Sequence, residues 1–129
     1  MALPAEDVVA IEQLCARYNH AVDAGDGPGF AATFTEDGVL VVNQRFEGHA
    51  ALAAFAESVP TRIPRPRHIV SNVLVDGDSN AASAKAYLQL YARTGDGGGL
   101  SMISSGVYAD SLRRKDGQWL FIERVFAAD

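Results

Sequence analysis

Between Ala81 and Arg93 the chain alternates without a break: Lys85, Tyr87, Gln89, Tyr91 and Arg93 interleave with Ala84, Ala86, Leu88, Leu90 and Ala92. Successive side chains of a strand point to opposite faces, so this segment has to be a strand with one apolar and one wetter face. Three more β-type segments stand around it, His68 to Val75, Leu100 to Arg113 and Gln118 to Phe126. The turn signals DGDSN, TGDGGG and KDG separate the four. They predict an antiparallel meander whose apolar face needs cover.

The cover comes from upstream. From Glu6 to about Ala24 the residues Val8, Ile11, Leu14, Cys15, Tyr18, Ala21 and Val22 recur at steps of three and four, the stripe of an amphipathic helix. Gly25 suits a left-handed C-cap, and Gly27 with Pro28 stops the same helix from continuing. A short helical turn is expected over Gly29 to Phe34. TEDG then reads as a turn, Val39 to Val42 as a strand or half of a short hairpin, and Gly48 as the end of a second turn. The alanine-rich HAALAAFAESV predicts a second helix, closed by Pro60. Helices first and strands last give an α+β fold, with helices packed on one face of a curved antiparallel sheet. With 129 residues and neither repeat nor linker, a single domain over 1–129 is expected.

Composition removes several classes of function. A net charge of -5 argues against a general nucleic-acid surface, which needs a basic face. No apolar run approaches the ~18 residues of a membrane span, and MALPAEDVV lacks the basic and apolar regions of a secretory signal. A cytoplasmic location is the expectation. The single cysteine, Cys15, falls on the helical stripe and reads as a buried structural thiol. No phosphate loop, metal-ligand spacing or nucleophile elbow is present, and the Gly95–Gly99 run reads as a hairpin turn with no helix after it. No cofactor or metal is expected, and the acidic balance favours a small molecule or a second copy of the chain as partner.

A few polar residues stand where the pattern asks for something else. His68 opens a strand in RHIVSN, either as a structural ring or as a base facing a pocket. Asp23 lies in the last turn of the first helix, where the dipole's negative end disfavours a carboxylate by ~0.3 to 1 kcal/mol. It also lies about 140° around the helix from Tyr18, off the apolar stripe, at ~100° per residue. Tyr18 is either a core aromatic or a hydrogen-bond donor to a ligand. Arg124, alternating with Leu120, Ile122 and Phe126, needs a carboxylate or a substrate as partner unless strand twist carries it to solvent. His20 and His49 read as surface residues. Arg62, Arg65 and Arg67 in TRIPRPRH are either a solvated connector or a set of charges that steers an anion.

The order of helix, YNHAVDAGD, strand, G-x-x-A-L, helix, RHIVSN and GVYADSLRRKDGQWLFIER resembles the SnoaL-like branch of the nuclear transport factor 2-like superfamily over nearly the whole chain. The resemblance implies a cone: a strongly bent antiparallel sheet wrapped about the long first helix, with an apolar cavity open at one end. Polyketide cyclases, scytalone dehydratase, bile acid 7α-dehydratase, a dehydrochlorinase and ketosteroid isomerase share that fold, as do proteins that are not enzymes. It further implies that Asp23 and His68 form a base dyad, that Tyr18 matches a tyrosine of the bile acid dehydratase, and that Arg124 matches an arginine common in the lyases. The aspartate of ketosteroid isomerase would fall near Val42 or Asn43, and scytalone dehydratase's further tyrosine and histidine near Val42 and Thr94; none of these is present here.

The implied function is a cofactor-independent lyase, cyclase or isomerase acting on a small hydrophobic, cyclic substrate. His68 takes a proton, held by Asp23 in a tautomer that leaves its other nitrogen free, and a free imidazole of pKa ~6.5 is a neutral acceptor near pH 7. Tyr18 or Arg124 supports the departing group. The alternative is a noncatalytic ligand-binding or subunit-interface domain, like the small subunit of ring-hydroxylating dioxygenases. The wetter face with Tyr87 and Tyr91 is expected to join two copies into a homodimer.

Overall fold

The computed structural model describes residues 3–95 and 98–129. Asp96 and Gly97, inside the turn expected over Gly95–Gly99, lie outside them. Among the described residues three helices, α1 (Ala5–Ala24), α2 (Gly27–Ala31) and α3 (His49–Arg62), accompany six strands. These are β1 (Phe34–Val42), β2 (Gln44–Glu47), β3 (Arg67–Gly77), β4 (Ala81–Arg93), β5 (Leu100–Lys115) and β6 (Gln118–Ala128).

The meander β3-β4-β5-β6 forms as its turn signals require, but the sheet is mixed rather than antiparallel throughout. Its order is β2-β1-β6-β5-β4-β3, and β1 runs parallel to β6. Tight turns dictate antiparallel neighbours only where they join the two strands. β1 and β6 meet from opposite ends of the sequence, and no turn records their pairing.

Register shifts interrupt every strand pair except β1 with β2. Such bulges bend a sheet and sharpen its twist, which curls this one around α1. The buried stripe of α1, Ile11, Leu14, Cys15, Tyr18 and Val22, meets Leu88 from β4, Tyr108 and Leu112 from β5, and Phe121 from β6 in one core.

Three boundaries differ from expectation. TEDG is part of β1, where the register with β6 shifts between Phe34 and Val39; a bulge uses the same small and polar residues as a turn. Asp26 caps α2 by accepting from the Gly29 N–H at 3.0 Å, so α2 starts at Gly27 with Pro28 in its first turn. Pro60 lies inside α3: it forfeits one backbone bond, yet its fixed φ suits a helix, and the Ile63 N–H closes the last turn on the Val59 carbonyl at 2.8 Å.

Candidate active site

The end of α1 is fixed first. Gly25 adopts φ 69°, its N–H turned back to the carbonyls of α1, and a Cβ there would come within 3.1 Å of Pro60 Cγ. Only glycine suits both the conformation and that approach. The cap leaves Asp23 aimed at the first residues of β3. Its carboxylate accepts from the His68 backbone N–H at 3.1 and 3.2 Å and from His68 Nδ1 at 2.6 Å. A carboxylate only accepts, so Nδ1 carries a proton, and in the neutral ring Nε2 is the nitrogen with a free lone pair. The three contacts offset the unfavourable dipole at this helix end. Both side chains are largely covered, His68 at 9% exposure and Asp23 at 14%.

His68 stands opposite Leu90 in the register of β3 and β4, and Val70 opposite Leu88. Alternation along β3 therefore sends the ring to the concave face. There it lines a cavity of about 620 Å³ walled by Phe46, Phe55, Leu88, Leu90 and Phe126, with Tyr18 and Tyr108 also in the lining. Arg62, Asn43, Gln44, Ser58 and Ser104 add polar groups, and no carboxylate lines the cavity among the described residues.

Tyr18 is the core aromatic that one of its two readings requires, 2% exposed and 4.6 Å from the Phe30 ring centroid, and it also lines the cavity. Burial, and then neighbouring Tyr108, push its hydroxyl well above the usual tyrosine range, so it stays protonated as a donor.

Arg124 has the carboxylate partner that the sequence allowed for, but it lies away from the cavity, where the resemblance implies a part in catalysis. A bulge opposite Ser111 and Leu112 breaks the alternation of β6, so Arg124 shares the buried face with Trp119 and Phe121, while Ile122 is exposed. Its partner is a carboxylate: Asp110, directly across on β5, accepts from Nε at 2.9 Å and Nη2 at 3.3 Å. The guanidinium is fully buried and does not line the cavity. Burial opposes its charge, but the Asp110 carboxylate more than compensates and raises its pKa above the ordinary arginine value. Burial pushes the Asp110 carboxyl up, and Arg124 draws it partly back.

Cys15 is buried beneath this pair, its sulfur 3.7 Å from Arg124 Nη2, and burial raises its thiol pKa. His20 and His49 are exposed, His49 Nε2 lying 3.0 Å from the Phe34 carbonyl. Of the three arginines before β3, Arg62 reaches the cavity, while Arg67 donates to the Pro66 carbonyl at 2.9 Å and Arg65 is exposed. Tyr108 and Asp110 went unnoticed in the sequence, although GVYADSL carries their signal: Tyr108, Asp110 and Leu112 alternate onto the buried face. Val42 and Asn43 do line the cavity, and neither supplies a carboxylate. Among the described residues, no three His, Cys, Asp or Glu side chains converge as metal donors, and no helix is long and apolar enough to cross a membrane.

A curved six-stranded sheet wrapped around a long N-terminal helix is the architecture of the nuclear transport factor 2-like, or cystatin-like, folds. Within that class the chain belongs to the SnoaL-like family, whose domain profile matches residues 4–125. A cystatin-like protein of unknown function from Nostoc punctiforme is similar at 28% identity and TM-score 0.89, over 100% of this chain and 96% of that one. An Asp-to-Asn variant of a function-unknown protein from Mycobacterium tuberculosis is similar at 31% identity and TM-score 0.88, over 95% of this chain and 72% of that one. A protein from Novosphingobium aromaticivorans, provisionally assigned as a scytalone dehydratase, is similar at 25% identity and TM-score 0.82, over 95% and 84% of the two chains. Among curated proteins none matches the chain.

Proposed function

We propose that the chain is a cofactor-independent lyase of the dehydratase type, with His68 as general base. The observation that carries this reading is the 2.6 Å contact of His68 Nδ1 with Asp23, on a ring that also lines the cavity. Nε2 takes a proton from the carbon next to a substrate carbonyl, and the electron pair moves onto the carbonyl oxygen as an enolate, which Tyr18 stabilises by donating its hydroxyl proton into a hydrogen bond. The enolate then collapses to the unsaturated ketone. The hydroxyl on the next carbon departs with the proton returned from the imidazolium, so one molecule of water leaves. A cyclase or isomerase would use the same first step. The apolar wall and the 620 Å³ volume suit a small ring system.

The test is a β-hydroxy ketone of the tetralone type, which loses water to give a fluorescent naphthol. Turnover by the wild type and a loss of ~10²- to 10⁴-fold in His68→Ala is the expected result. Saturable binding of the ketone in the cavity without any turnover would favour the noncatalytic ligand-binding alternative.

A homodimer through the outer sheet face belongs to the same reading. Ile69, Tyr87 and Met102 are 45%, 55% and 52% exposed, and their strand partners put all three on one face. A second copy offers the same apolar surface in return, as a two-fold interface requires.

A further inference from the structure

The floor of the cavity holds a second tyrosine that the dyad does not use. Tyr108, 2% exposed, lines the cavity with Tyr18, the ring centroids 5.9 Å apart and the planes at 79°. Against both lies the Arg124 guanidinium, its carbon 3.6 Å from the Tyr108 ring centroid and 4.4 Å from that of Tyr18. Asp110 takes two of its N–H groups, and Nη1 has no partner among the described residues. A guanidinium with no exposed surface does not touch a cavity ligand, but a cation packed against two phenols acts on whatever those phenols bind. In a water-excluded site that field is far less screened than in solvent.

We propose that Tyr108 is a second donor to the substrate oxygen, forming with Tyr18 a two-phenol site for an oxyanion, and that Arg124 is a positioning residue which acts through both phenols. The ligand class is a carbonyl that becomes an enolate, or a stable phenolate of similar size. Burial raises the pKa of both hydroxyls, and Tyr108 adds to the rise at Tyr18, which keeps them protonated as donors, while the Arg124 charge pulls the opposite way. With Asp110 opposite, the arginine stays fixed while charge develops on the ligand, which is the preorganisation such a site needs. The catalytic meaning of the pair rests on the His68 base reading; its binding property does not.

The experiment uses para-nitrophenol, whose visible band reports its ionised form, and para-nitrotoluene, of nearly the same shape without the oxygen. Wild type should hold the ionised phenol in preference to the neutral one, so that the bound probe titrates below its free pKa. Tyr108→Phe should weaken phenolate binding about tenfold or more, the size of one hydrogen bond to a charged group, with para-nitrotoluene affinity unchanged. The paired replacement Asp110→Leu with Arg124→Met keeps the volume filled and should raise the bound probe's pKa while para-nitrotoluene still binds. His68→Ala should retain the preference for phenolate.

Four results would overturn the proposal: phenolate affinity in Tyr108→Phe equal to wild type, an equal loss of both probes in that variant, loss of the preference in His68→Ala, or a wild type that binds neither probe. The third would assign the anion to the imidazolium. Failure of the base reading shows separately, as proton abstraction that survives His68→Ala.

Discussion

Removing Asp110 alone should damage this protein more than removing it together with Arg124. The two side chains are 1% and 0% exposed, and the guanidinium carbon is packed against Tyr18, Tyr108 and Phe121 at 3.6 to 4.5 Å from their ring centroids. Unit charges ~4 Å apart in surroundings of effective dielectric ~20 attract by about 4 kcal/mol. Asp110→Leu loses that attraction and strands a guanidinium that stays charged, which in buried pairs costs about 3 to 5 kcal/mol. For a chain of 129 residues, whose unfolding entropy near Tm is roughly 0.27 kcal/mol/K, a loss of about 4 kcal/mol lowers Tm by roughly 15 °C. Adding Arg124→Met removes the stranded charge and fills the space with an adaptable apolar chain, so the double variant should recover at least half of the loss. Urea unfolding with the slope checked for constancy measures both. An Asp110→Leu cost below about 1 kcal/mol, or a double variant no more stable than Asp110→Leu, would refute the account of this pair.

Asp23→Ala should cost about 1 to 3 kcal/mol in urea unfolding, because it leaves the His68 backbone N–H without its acceptor as well as freeing the ring. His68→Ala should cost less, since that N–H keeps Asp23. Gly106→Ala should destabilise by about 1 to 3 kcal/mol or more, read as a fall in the urea midpoint, because a Cβ there runs into the Ala127 backbone carbonyl oxygen of β6 and meets Phe126 Cε1 at 2.6 Å. Sedimentation at micromolar concentration should give a dimer for the wild type and a monomer for Tyr87→Lys; a monomeric wild type contradicts the outer-face interface.

The strands of the meander were legible because each carries its own alternation and its own turns, β4 to the residue. Of β1 only the half that forms a hairpin with β2, Val39 to Val42, was legible; its first half was not, because its other partner is β6, far away in sequence, and a bulge made TEDG read as a turn. Arg124 has the carboxylate partner that its place on an apolar face demands, but strict alternation gave it the wrong neighbours. It grouped Arg124 with Ile122, and only the pairing of β5 with β6 reveals the extra residue that leaves Ile122 exposed and sets Arg124 on the face of Phe121. Periodicity also argued against Asp23, since a helical stripe marks what faces the core, whereas this carboxylate faces the start of β3. The dyad came from the resemblance in YNHAVDAGD and RHIVSN, and the structure brings the two side chains into contact. Tyr108 and Asp110 were within reach: a tyrosine and an aspartate on the apolar face of GVYADSL both demand partners, and Arg124 meets the demand of both.

The central claim is that His68, oriented by Asp23, removes a proton from carbon. Its most direct measurement is the entry of deuterium from deuterium oxide next to the carbonyl of a tetralone, followed by proton NMR, because exchange requires no leaving group and no completed reaction. Wild type should exchange well above the buffer rate and saturably in ketone. His68→Ala should fall by ~100-fold or more towards the buffer rate, and Phe55→Trp, which fills part of the cavity wall, should slow exchange with both catalytic side chains intact. Exchange in His68→Ala as fast as in wild type, or a wild type that binds the ketone and exchanges no faster than buffer, would contradict the claim.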